Sequence, residues 1–257
     1  LGTIGDVMPL IDENRLIVRR GVEMINNSER PGVLSLREAA GQSEKRVTAG
    51  SLAFTLIPRI NAAGRMGNPT RALNLLLCDD SDLSSDLAGE IDEANVQRHK
   101  IELEILEEIK QKFIDNPSLK YDRIIVVDGE NWPNGVIGIV AAKLVEIFGK
   151  PAIVIAKNGE DARGSGRSFE GFSLYDAIKA ASSVLDHFGG HTLAAGIGLK
   201  CENIPLFRKA INEYAASLKN PVYPALNIDC RLNPAVINND LISALSTLEP
   251  FGVGNSV

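Results

Sequence analysis

From Ser85 to Asn116 apolar side chains recur at helical intervals, and no other segment limits the possible folds as much. Leu87, Ile91, Ala94, Ile101, Ile105, Ile109 and Phe113 follow in steps of four, three and, once, seven, the register of one helix face. Glu107 with Lys110, and Glu108 with Lys112, mark the solvated side, and Pro117 closes the segment. At 1.5 Å per residue such a helix is roughly 48 Å long. A helix that long and that polar is expected to bridge two lobes.

Beyond Pro117 the period changes. "RIIVVD" (123–128) and "AIVIA" (152–156) are short β-branched runs, with the helical "GVIGIVAAKLVEIFG" between them. Strand, helix, strand over that span predicts a βαβ unit with parallel pairing and a right-handed crossover. A second cycle follows: "GSGRS", a helix over "SLYDAIKAASSVLDHF", a strand in "HTLAAGIGLK" and a last helix, "IPLFRKAINEYAASL". The segment from near Lys120 to Pro224 therefore reads as a compact α/β domain. "ALNIDCRL" (225–232) alternates and begins a new element. The first eighty residues read as mostly helical. One helix is expected to end near Leu56, ahead of Pro58, which leaves "PRINAAGRMGNP" as an interhelical loop.

Composition excludes several classes. With 44% hydrophobic residues a sizeable core is possible, but no apolar run is long enough to span a membrane. The three isolated cysteines, Cys78, Cys201 and Cys230, argue against a disulfide framework or a cysteine zinc site and fit a reducing, cytoplasmic setting. A net charge of −6 does not advertise nucleic-acid binding, although a cleft can be basic inside an acidic protein. No HExxH, nucleophile elbow, Walker A or CxxC pattern occurs. The chain starts at Leu1 and stops after "PFGVGNSV", so it is expected to be part of a longer protein.

Four motifs could carry chemistry. In "LGTIGDVMPL", Asp6 stands among apolar residues, which suggests a paired or metal-bound carboxylate or a simple helix cap. "PRINAAGRMGNP" concentrates Asn61, Gly64 and Arg65, suited to phosphate or merely to a surface loop. In "ARGSGRSFEGFSL", strand alternation puts Arg163, Ser165 and Arg167 on one face and Gly166 and Ser168 on the other; an edge strand with a charged outer face explains the same pattern. "FGGHTLAAGIGLK" sets His191 directly behind Gly189 and Gly190, either as a turn or as a side chain delivered to a ligand. Two weaker features follow. Trp132 lies just before a helix start and could stack on a base or pack as a staple. His187 is expected to end a helix, where its cationic form suits the dipole.

As an ordered set, "LGTIGDVMPL", "PRINAAGRMGNP", "WPNGVIGIVAAKLVEIFGKPAIVI", "GSGRSFEGFSLYDAI", "FGGHTLAAGIGL" and "LEPFGVGNS" resemble the RecJ family of single-stranded-DNA-specific exonucleases, among the DHH phosphoesterases. The resemblance implies an α/β protein. It comprises the helical end of a DHH domain (1–80), a long connecting helix (81–118), a compact βαβ-type DHHA1 domain (119–224) and the start of a truncated oligonucleotide-binding domain (225–257). It implies 5′–3′ metal-dependent hydrolysis of single-stranded DNA in repair and recombination, with two divalent cations, Mn²⁺ or Mg²⁺. Single-stranded DNA is the implied partner, with single-stranded-DNA-binding protein beside it.

By that comparison Asp6 is the last metal-coordinating aspartate, and Asn61 and Arg65 are phosphate contacts. Ser165, Arg167, Ser168, Gly189, Gly190 and His191 form the DHHA1 side of the phosphate grip. Asp6, Arg65 and His191 carry the catalytic roles. The Asp-His-His triplet is absent, however. The sequence is therefore expected to begin just before the final metal aspartate and to lack exonuclease activity by itself. Two alternatives stay open: a phosphodiesterase for short oligonucleotides or cyclic dinucleotides, and a non-catalytic nucleic-acid-binding module.

Overall fold

The computed structural model describes residues 1–218, 225, 228 and 230–256. They fall into two compact units, Leu1–Arg98 with Ile228–Val257, and His99–Asn227. The periodic segment is one helix, α7 (Ser81–Asp115), with residues in both units. It starts a turn earlier than the spacing predicts, because Asp80 caps it: the Asp80 carboxylate accepts from the Leu83 N–H at 2.8 Å.

The first unit is helical: α1 (Gly2–Gly5), α2 (Asp12–Asn26), α3 (Pro31–Ala39), α4 (Ala49–Ser51), α5 (Ile57–Arg65), α6 (Thr70–Leu77) and the start of α7. Leu36, Leu52, Leu56, Ile57, Leu75 and Ile91 form its core. Arg37, 8% exposed, closes the α3 end by donating to the carbonyls of Ile25, Asn26, Gln42, Ser43 and Lys45. Two expectations are corrected here. The helix does not stop before Pro58, and "PRINAAGRMGNP" is not a loop. A π-helical turn, Leu52–Leu56, leads directly into α5. The wider turn accommodates a proline that has no N–H to give and whose ring would crowd the preceding turn.

Beyond residue 230 the described chain holds a 3₁₀ turn (Pro234–Val236) and a further helix, α11 (Asn239–Ser246). The residues that follow it join the first unit: Leu10 N–H donates to the Val253 carbonyl at 2.6 Å and Arg15 to the Leu248 carbonyl at 2.6 Å. Three residues of the alternating stretch "ALNIDCRL" (226, 227 and 229) lie outside the described residues, and none of its described members is in a strand.

The second unit holds a five-stranded sheet in the order β1-β2-β3-β5-β4. Its strands are β1 (Ile125–Glu130), β2 (Ala152–Asn158), β3 (Asp161–Arg167), β4 (His187–Gly190) and β5 (Ala194–Lys200). β1 and β2 are parallel across α8 (Asn134–Phe148), as the βαβ pattern predicts, and the remaining pairs are antiparallel. On one face α9 (Leu174–Ala180) and α10 (Ile204–Ser217) bury Ile153, Ile155, Ile197, Leu174, Phe207 and Ile211. On the other face α8 packs on β2 and β3.

A further correction concerns the helix expected over 173–188. It stops at Ala180, after which a 3₁₀ turn (Ser182–Val184) leads into β4. His187 is thus the first residue of a strand, not a helix C-cap. Its ring lies over β5, where a Cβ on Gly198 would sit 2.1 Å from its Cε1. Cross-strand packing that periodicity cannot see turned an apparently helical tail into sheet.

Candidate functional site

The site in the second unit follows from register. Ser165 of β3 pairs with Gly196 of β5, which pairs with Gly189 of β4. Because side chains alternate, these three share the face on which α8 lies, as do Arg163, Gly198 and His187 in the next row. The helix covers β2 and β3, leaving Gly196 and Gly189 exposed. The result is a groove of about 490 Å³, walled by Asn134 and Ile137 of α8 and by His187 of β4. Its floor is glycine.

The glycines divide by role. A Cβ on Gly164 or Gly166 would lie 2.7 Å from Ile197 or from Leu174, so these two serve core packing on the far face. Gly190 has φ +146°, and its Cβ would lie 2.4 Å from the Ala194 carbonyl oxygen, so it serves the hairpin. A Cβ on Gly189 meets nothing within 4 Å, and one on Gly196 only the Gly164 carbonyl at 3.9 Å. The fold does not need those two to be glycine. Their bareness leaves room over the groove floor.

The polar groups are set as follows. Arg167 donates to the Ser165 hydroxyl at 3.1 Å and to the Gly166 carbonyl at 2.8 Å. Its guanidinium lies against α8, where Gly138 brings the helix close: a Cβ there would be 2.9 Å from Arg167 Nη2. His191 is exposed at the β4–β5 turn. Its Nδ1 accepts from the Leu193 N–H at 3.4 Å, which assigns the proton to Nε2 and turns a donor outward. Ser168 N–H bonds the Leu193 carbonyl at 2.9 Å, and its hydroxyl donates to the Phe172 carbonyl at 3.0 Å. That hydroxyl proton ties the loop together and is not offered to a ligand.

In the first unit, Asn61 and Arg65 lie one helical turn apart on α5 and are both exposed, so helix formation puts them on one face. Surrounding protein first, and then the nearby Arg98, lower the Arg65 pKa below its ordinary value; a guanidinium remains charged at neutral pH even so. Asp6 follows α1 as its C-cap and is exposed. Val7, Met8 and Pro9 beside it are exposed too, and the helix-cap position is one of the two readings the sequence left open. Among the described residues no three His, Cys, Asp or Glu side chains cluster as a metal site would require. The residues present therefore do not by themselves fit a pair of divalent ions.

Motif reading takes Asn134 only as part of a helix start whose free N–H groups could hold an anion, gives His187 only a helix-end role, and passes over Gly196. Gly196 is visible in sequence only as one of several small residues, and its exposure depends on where α8 stops covering the sheet. Trp132 is buried, with its indole N–H donating to Glu108 at 2.9 Å, which selects packing over base stacking.

Residues 118–217 match the DHHA1 domain family. The chain is 36% identical over 99% of its length to a single-stranded-DNA-specific exonuclease, RecJ, of Bacillus subtilis, covering 33% of that protein. It is 34% identical to the Thermus thermophilus RecJ, covering 36% of it. A crystal structure of the Thermus protein with Mn²⁺ superposes with a TM-score of 0.86 at 33% identity, over 99% of this chain and 37% of that one. The chain thus spans about a third of the length of these relatives.

Proposed function

We propose that this chain, homologous along nearly its whole length to part of the RecJ exonucleases, holds a single DNA strand in the glycine-floored groove of its DHHA1 domain and does not cut it alone. The observation that carries this reading is the open floor at Gly189 and Gly196, bare where the fold does not require it. Ser165 and Arg167 on one side of that floor and the outward Nε2–H of His191 present donors to phosphate oxygens, while the glycine backbone lets the strand come close. Arg167, held by Ser165 and Gly166, is preorganised rather than recruited. Asn61 and Arg65 on α5 are a second pair of phosphate contacts.

In the whole protein, residues 1–80 serve as the end of the DHH domain, 81–118 as its connecting helix, 119–224 as the DHHA1 domain and 225–257 as the start of an oligonucleotide-binding domain. That protein acts as a 5′–3′ exonuclease in DNA repair and recombination, with Mn²⁺ or Mg²⁺, in the cytoplasm and alongside single-stranded-DNA-binding protein. Asp6 contributes one metal ligand to a set this chain does not complete, so no hydrolytic step is assigned to the chain's own residues. Fluorescence anisotropy with a labelled oligodeoxynucleotide, with and without Mn²⁺, tests both halves. Salt-sensitive binding without degradation is expected; Mn²⁺-dependent degradation by the purified chain contradicts the reading.

A further inference from the structure

Resting on the reading that this groove grips a strand, we propose that Arg163, His187 and Asn134 form a second phosphate subsite, at the far end of the groove from Arg167 and His191. The register places Arg163 beside Gly198 and Gly198 beside His187 in one row across β3, β5 and β4. Arg163 and Arg167 lie four residues apart on one strand face, about 13 Å at the usual strand rise. That separation is too long for one phosphate to bridge and suits phosphates about two nucleotides apart along one extended strand.

The two ends differ in how their donors are used. Arg167 is tied to Ser165 and Gly166. Arg163 is exposed, and among the described residues its guanidinium makes no hydrogen bond or salt bridge, feeling only the charge of Asp161. Asp161, two residues before it, is held by Lys200 at 2.5 Å; that bond and the Lys200 charge hold the Asp161 carboxyl below its ordinary value. The His187 ring lies flat on the bare backbone of Gly198, which fixes the ring plane without occupying its nitrogens. Asn134 adds an amide on the α8 side of the same groove. Asn134 and Arg163 also line an adjoining cavity of about 500 Å³ toward Asn158, so the surface does not end at this row. Three donors of the kinds that bind phosphate thus rim one end of the groove, and the one carboxylate near Arg163, Asp161, is already engaged by Lys200. That is the state expected of groups kept for a ligand.

The test is anisotropy on the full chain with a deoxydinucleotide and a deoxyhexanucleotide, comparing Arg163→Gln, His187→Gln and His191→Ala. All three side chains are exposed, and Trp132 fluorescence checks that each variant folds. Arg163→Gln and His187→Gln are each expected to weaken hexanucleotide binding about tenfold and to leave the dinucleotide unaffected. Arg163→Gln should also reduce the salt slope by about 0.7. His191→Ala should weaken both ligands. Wild-type hexanucleotide affinity in Arg163→Gln and His187→Gln, with His191→Ala still impaired, overturns the second subsite and leaves the groove reading intact. Equal losses on both ligands also overturn it as a separate subsite. Absence of binding by the unmodified chain, or indifference of all three variants, overturns both.

Discussion

Two adjacent glycines should respond oppositely to the same methyl group. In Gly189→Ala the new Cβ meets no atom within 4 Å, and its backbone is not among the positive-φ glycines. Alanine is favoured over glycine in a strand by about 0.5–1 kcal/mol, so stability should hold or rise slightly. In Gly190→Ala the residue sits at φ +146°, and the methyl would lie 2.4 Å from the Ala194 carbonyl oxygen and 2.5 Å from the Ala195 Cα. The dihedral alone costs about 1–3 kcal/mol, and the hairpin must open to relieve the contact, so a loss of about 3 kcal/mol or more is expected. Buried Trp132, the single tryptophan, reports unfolding by fluorescence in urea.

Anisotropy with a labelled oligodeoxynucleotide supplies the second axis. A methyl on the groove floor at Gly189 holds a phosphate backbone off the surface, and affinity should fall about tenfold, or about 1.4 kcal/mol, in a protein as stable as its parent. A Gly189→Ala chain that binds normally refutes the assignment of that bareness to a ligand. One that unfolds as early as Gly190→Ala refutes the structural division between the two glycines.

Other outcomes follow from particular contacts. Gly129→Ala would put a Cβ 2.1 Å from the buried Trp132 indole, and should cost about 3 kcal/mol, read from the same urea curves. Arg37→Met leaves up to five carbonyls without their donor and should cost about 3 kcal/mol. Lys157 has its pKa raised above 10.5, first by its hydrogen bond to Glu130. Its contribution is therefore fully present below that value and lost as pH rises through the folded value. The stability difference between the parent and Lys157→Gln should be constant from neutral pH to about 9 and shrink beyond 10.5. Titration calorimetry with Mn²⁺ should show no stoichiometric binding and no change on Asp6→Asn; a saturable site of micromolar affinity lost in Asp6→Asn contradicts the conclusion that the chain lacks a complete metal set.

Much of this was legible in the order of residues. The period of α7 and the β-branched runs of β1 and β2 are local patterns, and local patterns survive folding. Alternation alone put Arg163, Ser165 and Arg167 on one face. The errors lie where a distant partner decides. Pro58 looked like a helix end because the π turn that absorbs it has no sequence mark of its own. His187 and Phe188 looked helical because their pairing with β5 lies beyond any window. Glycines were the hardest to read. Gly164 and Gly189 are indistinguishable in sequence, yet one is packed under Ile197 and the other faces open space. That difference depends on which strands α8 covers, and so does the location of the site.

The central claim is that the bare-floored groove of the DHHA1 domain is where a DNA strand lies. Amide chemical-shift mapping of the isotope-labelled chain during titration with an unlabelled oligodeoxynucleotide tests it most directly. The account predicts shifts concentrated at Arg163, Ser165, Arg167, Gly189, His191 and Gly196, saturating together and weakening with salt. Shifts confined to the α9–α10 face, or a strand that binds while these six amides stay still, would contradict it.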